Sequence, residues 1–599
     1  MAAFKIREFL QEARRRRVFP VTGIYIVAAW ISVQVCSEAF PALDIPANAI
    51  RFVWLGVILG FPLALVFSWF YDITTEGIVR TAPAGTKMAA SLSLRRLDRL
   101  ILTGLAVVAV GIVLQLGTRI RESDFSPGAQ IIVEVDPMSI AVLSFDNLSG
   151  EQDQAYFVNG MHDALITGLS RISGLRVTSR TSTRGYENTT IPIRQIGREL
   201  GVSKIIEGSV YRVQDRVRIV VQLIDALTDQ HLWAETYERD MGDVLMMQSD
   251  IIRAITQEVQ VTLTTDESQK LAAAQAVDPE SYESYLRGMF HVELFTPEDM
   301  HLATEHFQRA VELDPGNALA HWGLSRLCRF QLQAGLIRPR EGEPRCRAPL
   351  LRAFELDNKL AEVHLGLALG YWLYDYNWDA AEASFVHALE INPNYAEANM
   401  FYSHFLANMG RAQESTEQML KARELDPLNT FIQGLHGVQM ALIGSLEKGI
   451  DEINAALSVS PNLGFGYDVL WFAYARLGRH DEALDAAKKH FGITMGNQAA
   501  VEALENGFEA GGFEGAMLEA AETVAELSKV TYVPAIEISA LYELGGDIDK
   551  CFEWLNVAYD QHDPTLPYIG APLLIDKSNA DARYADLLRR MNLTQWLSD

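Results

Sequence analysis

The chain has 599 residues, too many for one hydrophobic core, so several domains are expected. Its formal net charge of -26 is unevenly spread: residues 1–121 hold 14 Lys and Arg against 7 Asp and Glu, which leaves 37 against 70 for residues 122–599. So acidic a body argues against nucleic acid as its partner, because binding phosphate needs positive surface.

Three nearly uncharged apolar runs open the chain, at about 21–40, 52–71 and 100–118. Each approaches the roughly 20 residues that a helix needs to cross about 30 Å of hydrocarbon. Three transmembrane helices within a membrane region 1–120 are therefore expected, with the lipid bilayer as a partner. Lys5, Arg7 and Arg14 to Arg17 precede the first run, the loop Pro41–Ile50 has no Lys or Arg, and Arg80, Lys87, Arg95, Arg96 and Arg99 separate the second from the third. This bias puts the N-terminus in the cytoplasm and everything after about residue 121 on the far side. The sequence "ANA" at Ala47–Ala49 has the form of a cleavage site, but the apolar run before it is too long for a signal peptide and two more runs follow.

After a linker at 121–137, elements alternate. Ile140–Phe145 reads as a buried strand, and the helix after it carries Phe157, Val158, Met161, Leu165, Leu169 and Ile172 on one face. The turn between them, "DNLSGEQDQ", has one glycine, three acids and no lysine, so it is not a phosphate loop. Its acids are expected to favour the helix N-terminus. His162 and Asp163 are neighbours on a helix and do not face each other, which predicts a surface pair without catalysis. A strand at Leu175–Ser179, a short helix from Pro192 to Gly201, three strands ("KIIEGSVYRV", "RVRIVVQLIDA", "HLWAETYERD") and a helix from Val244 to about Leu263 complete an α/β unit.

"SIAVLSFDNLSGEQDQAYFVNGMHDALITGLSRISGLRVTSRTS" with "IGRELGVSKIIEGSVYRVQDRVRIVVQLIDALTDQHLWAETYERD" resembles the TolB-like amino-terminal domain over about 138–265. The resemblance implies an α/β binding module outside the cytoplasm, without a catalytic role. The membrane part is similar to that of bacterial chains carrying this module, some of which begin with a class III cyclase or winged-helix domain; here only the short stretch up to Arg17 precedes the first run.

From Asp278 to Asp599 the chain is repetitive. Pro393, Pro427 and Pro461 recur at one even interval, the period of roughly 34 residues that marks helix-turn-helix repeats. Ala396 to Asn429 carries Tyr402, Ser403, Leu406, Gly410, Ser415, Met419, Ala422 and Pro427, and segments such as "ATEHFQRAVELDP" and "AAEASFVHALEINP" preserve parts of this pattern. These resemble tetratricopeptide repeats. Five to eight of them are expected to stack into an α-helical solenoid with a groove. Asp357-Asn358 replaces a spacer proline, and the segment between Phe330 and Arg345 is an insertion.

The fold class is thus multidomain: three transmembrane helices, a TolB-like α/β module, and a tetratricopeptide-repeat solenoid with a C-terminal cap. In such repeats the second, fifth, ninth and twelfth places of the first helix share the face that lines the groove. Those places hold Trp322, Arg326 and Arg329, then Leu365 and Trp372, then Met400 and His404, then Phe431, and last Phe465, Asp468 and Phe472. Aromatic residues, Met and Arg are enriched where partners anchor. With Arg326 and Arg329 adding positive charge to an acidic body, an acidic or C-terminal carboxylate peptide is expected beside Trp322 and Trp372.

No CxxC, HExxH or GxSxG occurs, so no metal, cofactor or catalytic residue is assigned. Cys328 and Cys346 fall at places that face each other across a helix pair; they are expected to stay free as small buried hydrophobes, a disulfide being the alternative. The leading expectation is a non-enzymatic, multi-pass inner-membrane protein whose periplasmic part binds protein or peptide partners. The alternative is a transmembrane sensor related to cyclase-type or winged-helix regulators but without their cytoplasmic domain.

Overall fold

A computed structural model describes residues 135–597 except 150–153, 188, 273–277, 293, 295, 334 and 572–580. Earlier in the chain it describes residues 25, 29–30, 32–35, 53, 57, 71–74 and 77–80. The chain divides into two compact units, Met1–Val133 and Glu134–Asp599.

In the first unit, Tyr71, expected to end the second apolar run, instead opens a strand: β1 (Tyr71–Thr74) pairs antiparallel with β2 (Gly77–Arg80). The Tyr25 hydroxyl donates to the carbonyl of Val57 over 2.7 Å. Among the described residues no helix is long and apolar enough to cross a membrane. The expected spans at 21–40, 52–71 and 100–118 lie almost wholly outside the described residues, as does the linker 121–137 up to residue 134.

The second unit begins with a six-stranded sheet. β3 (Ser139–Val142) runs parallel to β5 (Arg176–Val177) and to β6 (Lys204–Val213), and the two-residue β4 (Asp146–Asn147) also pairs with β6. The strands β6, β7 (Arg216–Asp225) and β8 (Gln230–Asp240) follow as an antiparallel meander. The alternation in β7 has its expected result: Val217, Ile219, Val221 and Leu223 are all buried. That face packs under helices Ala155–Ser170 and Val244–Glu258. The second of these stops short of Leu263, and Gln260 beyond it takes a left-handed φ of 60°. Helix Ile193–Leu200 covers the other face and ends at Gly201, whose φ of 64° favours glycine.

Eight consecutive helix pairs follow, from Pro279–Val292 with Pro297–Leu313 to Ala535–Gly545 with Ile548–Gln561. Helix Gln498–Leu527, which breaks at Gly511 and Gly512, supplies both members of the seventh. The repeat period has a backbone cause. Gly410, Gly444 and Gly478, spaced like the prolines, turn between the helices of successive pairs with φ of 77°, 90° and 71°. Within pairs, small residues allow close approach: a Cβ added at Gly437 would stand 2.7 Å from the carbonyl oxygen of Gly449. The missing proline at Asp357 leaves the repeat regular, since its N–H bonds the Ala353 carbonyl over 2.8 Å as Asp426 N–H bonds Ala422 over 3.0 Å. The insertion at 330–345 is absorbed by longer helices, Ala318–Gln333 and Pro339–Leu356. Cys328 and Cys346 form a disulfide across that pair, which corrects the expectation of free thiols; Cys551 is free and buried.

The α/β module and the solenoid share one core, in which Phe157 and Met161 join Tyr282, Phe307 and Leu327. They form a single compact unit for that reason.

Candidate functional site

The expected groove is largely filled by the chain itself. Trp372 has no exposed surface, and its ring meets Tyr568 at 5.5 Å, Phe405 at 6.0 Å and Phe385 at 6.1 Å. Tyr568 belongs to a C-terminal segment that folds back onto the middle repeats. There His562 Nδ1 lies 2.8 Å from the carbonyl of Tyr374, and Trp378 Nε1–H donates to the carbonyl of Met591 over 2.8 Å.

Five further residues assigned to the groove are also buried. His404 donates Nε2–H to the Leu435 carbonyl over 2.9 Å, and Tyr568 stands 6.2 Å from its ring. Burial holds His404 down to about 4. Met400 packs on Met419 and Ile432, Leu365 lies in the core with Trp372, and Phe472 lies against Trp471 at 4.1 Å. Arg329 is not free to meet a carboxylate: its Nη1 pairs with buried Glu343 at 3.0 Å, and Glu343 also holds Arg347 at 2.8 Å. Helical periodicity identifies the shared face but not what folds onto it. These six residues are corrected from docking positions to core.

Four residues retain exposed surface. Trp322 and Arg326 are half-buried, with the guanidinium 5.4 Å from the ring centroid. Nearby, Glu362 pairs with Arg171 of the α/β module at 3.6 Å. Phe431 is 42% exposed and meets half-buried Phe465 edge-on at 5.3 Å. The open part of the face is therefore two aromatic positions with one available guanidinium, not a continuous groove.

The module is clamped to the solenoid by polar groups at repeat junctions. The Asn394 amide donates to the carbonyls of Ser170 and Leu175 over 2.9 and 2.8 Å. Asp426 accepts from the Ser182 hydroxyl over 2.6 Å and its N–H over 3.0 Å; burial still pushes this carboxyl up. Glu283 accepts from Tyr156 and Arg212, each over 2.7 Å. Although burial opposes ionisation, these bonds hold Glu283 down to about 2. His162, expected at the surface, is buried with Nε2 donating to the Val142 carbonyl over 2.8 Å, while Asp163 pairs with Arg180 at 2.6 Å. The acids Glu151 and Asp153, expected at that helix start, lie outside the described residues.

Asp468, also assigned to the groove, belongs to a different cluster, with His490 and Glu537. Burial pushes Asp468 up to about 6, and Glu537 with Asp468 holds His490 up to about 9 against the effect of burial. Spacing carried no signal for this trio, because its members come from three separate helical segments.

Comparison with known proteins bears on both parts of this unit. Residues 136–263, read above as TolB-like, match the family model of the HilA/YgeH-like transcriptional regulator, second domain. Over 187 residues the chain is 42% identical to candidate adenylate cyclase 3 of Rhizobium meliloti (strain 1021), covering 31% of this chain and 32% of that relative. The chain thus spans about a third of the curated relative's length. Among solved structures it is similar to YrrB, titled a TPR protein with an unusual peptide-binding site, at 20% identity, with 30% of this chain and 88% of that one covered and a TM-score of 0.21. It is also similar to a monomeric mutant of IFIT1 with Gppp-AAAA, at 15% identity, with 54% and 80% covered and a TM-score of 0.36. The helical-repeat fold itself is read from the consecutive helix pairs and the even spacing of their turns.

Proposed function

We propose that this chain is a membrane-anchored interaction scaffold that performs no reaction of its own. The observation that carries it is the solenoid of eight helix pairs sharing a core with the α/β module: an extended, rigid surface on which no catalytic constellation stands out among the described residues. Anchoring rests on the apolar runs at 21–40, 52–71 and 100–118, and a periplasmic body on their flanking charges. The Cys328–Cys346 disulfide supports an oxidising compartment. The partner is a protein or peptide, held where Trp322, Arg326, Phe431 and Phe465 remain accessible. The balance of 37 Lys and Arg against 70 Asp and Glu beyond residue 121 disfavours nucleic acid.

The test is capture of partners from bacterial extract with the full chain in detergent, against the double variant Trp322→Ala, Arg326→Ala. Loss of capture with unchanged circular dichroism is expected. Unchanged capture would move the docking surface to the α/β module.

A second reading, a transmembrane signalling protein, is favoured by the match of 136–263 to a domain of transcriptional regulators and by the relative's name as a cyclase. It separates from the first by requiring that partner capture change an output across the membrane, which a scaffold does not.

A further inference from the structure

Three separate parts of the chain converge at one buried point. Asp468 lies in helix Gly464–Arg476, His490 opens the π-helical turn His490–Thr494, and Glu537 sits in the first turn of helix Ala535–Gly545. A π-turn is an uncommon distortion, often found at functional positions. His490 Nε2 lies 3.4 Å from Glu537 Oε2 and 3.9 Å from Asp468 Oδ1, and one ligand atom from each residue falls within 4.8 Å of the others. The His490 and Glu537 side chains are 4% and 10% exposed. Asp468, at 25%, gives the cluster access to solvent.

The polar atoms here are poorly satisfied. Neither ring nitrogen of His490 makes a well-formed hydrogen bond, nor does Glu537 Oε2; Asp468 Oδ1 accepts from Trp471 Nε1–H over 3.2 Å. Buried polar atoms without partners are costly and rare. A further buried acid, Asp563, stands behind Glu537 and accepts from the N–H of Ile536 over 3.1 Å. One imidazole and two carboxylates form a nitrogen-and-oxygen ligand set suited to a divalent transition ion. Ligands about 2.0–2.1 Å from a tetrahedral ion stand roughly 3.4 Å apart. The closest pair already has that spacing, and the others need a modest closure.

We propose that Asp468, His490 and Glu537 bind one divalent transition-metal ion, zinc foremost, which ties the sixth helix pair to the last. This goes beyond the scaffold reading and does not depend on it. The ion is structural, joining helix Gly464–Arg476 to helix Ala535–Gly545 across the pair that separates them in sequence.

The test uses the full chain in detergent, stripped with a chelator and titrated with zinc chloride, with magnesium chloride as the control. One equivalent of zinc binding at micromolar Kd or tighter is expected, together with a melting temperature that rises with zinc concentration and no response to magnesium. His490→Gln and Glu537→Gln are expected to weaken zinc binding at least 100-fold, and exposed His301→Gln to leave it unchanged. X-ray absorption of the zinc-loaded natural chain, which needs no variant to fold, should show one imidazole nitrogen, carboxylate oxygens and no sulfur. Absence of stoichiometric binding, equal affinity in folded His490→Gln, or a sulfur ligand would overturn the proposal.

Discussion

The indole Nε1–H of Trp596 donates to the carbonyl of Asn408 over 2.8 Å, joining residues 188 positions apart. Trp596 also stands against Gly410, where the chain turns between two helices. Trp596→Ala removes this bond and its packing. A loss of about 2–3 kcal/mol is expected for the middle repeats, since part of the ring is already exposed. Amide exchange should quicken across 396–410 and stay unchanged across 139–259; equal quickening in both regions would mean that the fold-back does not act locally.

The Cys328–Cys346 bridge closes a separation of 18 residues. Closing a loop of that size stabilises by about 3 kcal/mol through the unfolded state. Cys328→Ala with Cys346→Ala should lower stability by that order. Mass spectrometry of the unreduced natural chain should find neither thiol open to alkylation; alkylation of both would refute the bridge.

His404 gives a pH dependence with a definite sign. Burial holds it down to about 4, whereas the unfolded ring titrates near 6.5. Between those values the unfolded chain binds the extra proton, so this contribution is complete above about pH 6.5 and is lost as pH falls towards 4. The full effect is on the order of 3 kcal/mol. His404→Gln can still donate to the Leu435 carbonyl but does not titrate, so its stability should fall less between pH 7.5 and 4.5 than that of the natural chain. Identical pH profiles would show that His404 does not carry the effect.

Membrane orientation is tested with a reporter active only outside the cytoplasm. Fusions within Pro41–Ile50 and after Asp599 should be active, and a fusion near Thr86 silent. The reverse pattern would overturn both the orientation and the compartment.

The repeats were legible because their constraints are local. Proline spacing, small residues such as Ser403 and Ser415, whose hydroxyl oxygens meet at 3.2 Å, and Gly410 all act within one helix pair. The inward set of β7 was legible for the same reason, through strict alternation. Which groove residues stay open depends on distant packing: Trp372 and His404 occupy the expected places but lie under Tyr568, which arrives from the far C-terminal end of the chain. Arg329 reads as a free cation until Glu343 is placed beside it. The approach of Asp468, His490 and Glu537 depends on how three helix pairs turn on one another, which no repeat pattern encodes.

The central claim, that partners dock on the part of the solenoid face its own C-terminal segment leaves open, is tested most directly by photo-crosslinking from two positions in the full chain. Benzoylphenylalanine replacing Trp322 should join the chain to a separate protein, while the same residue replacing Tyr568 should give only crosslinks within the chain. Partner crosslinks from position 568 with none from 322 would contradict the account.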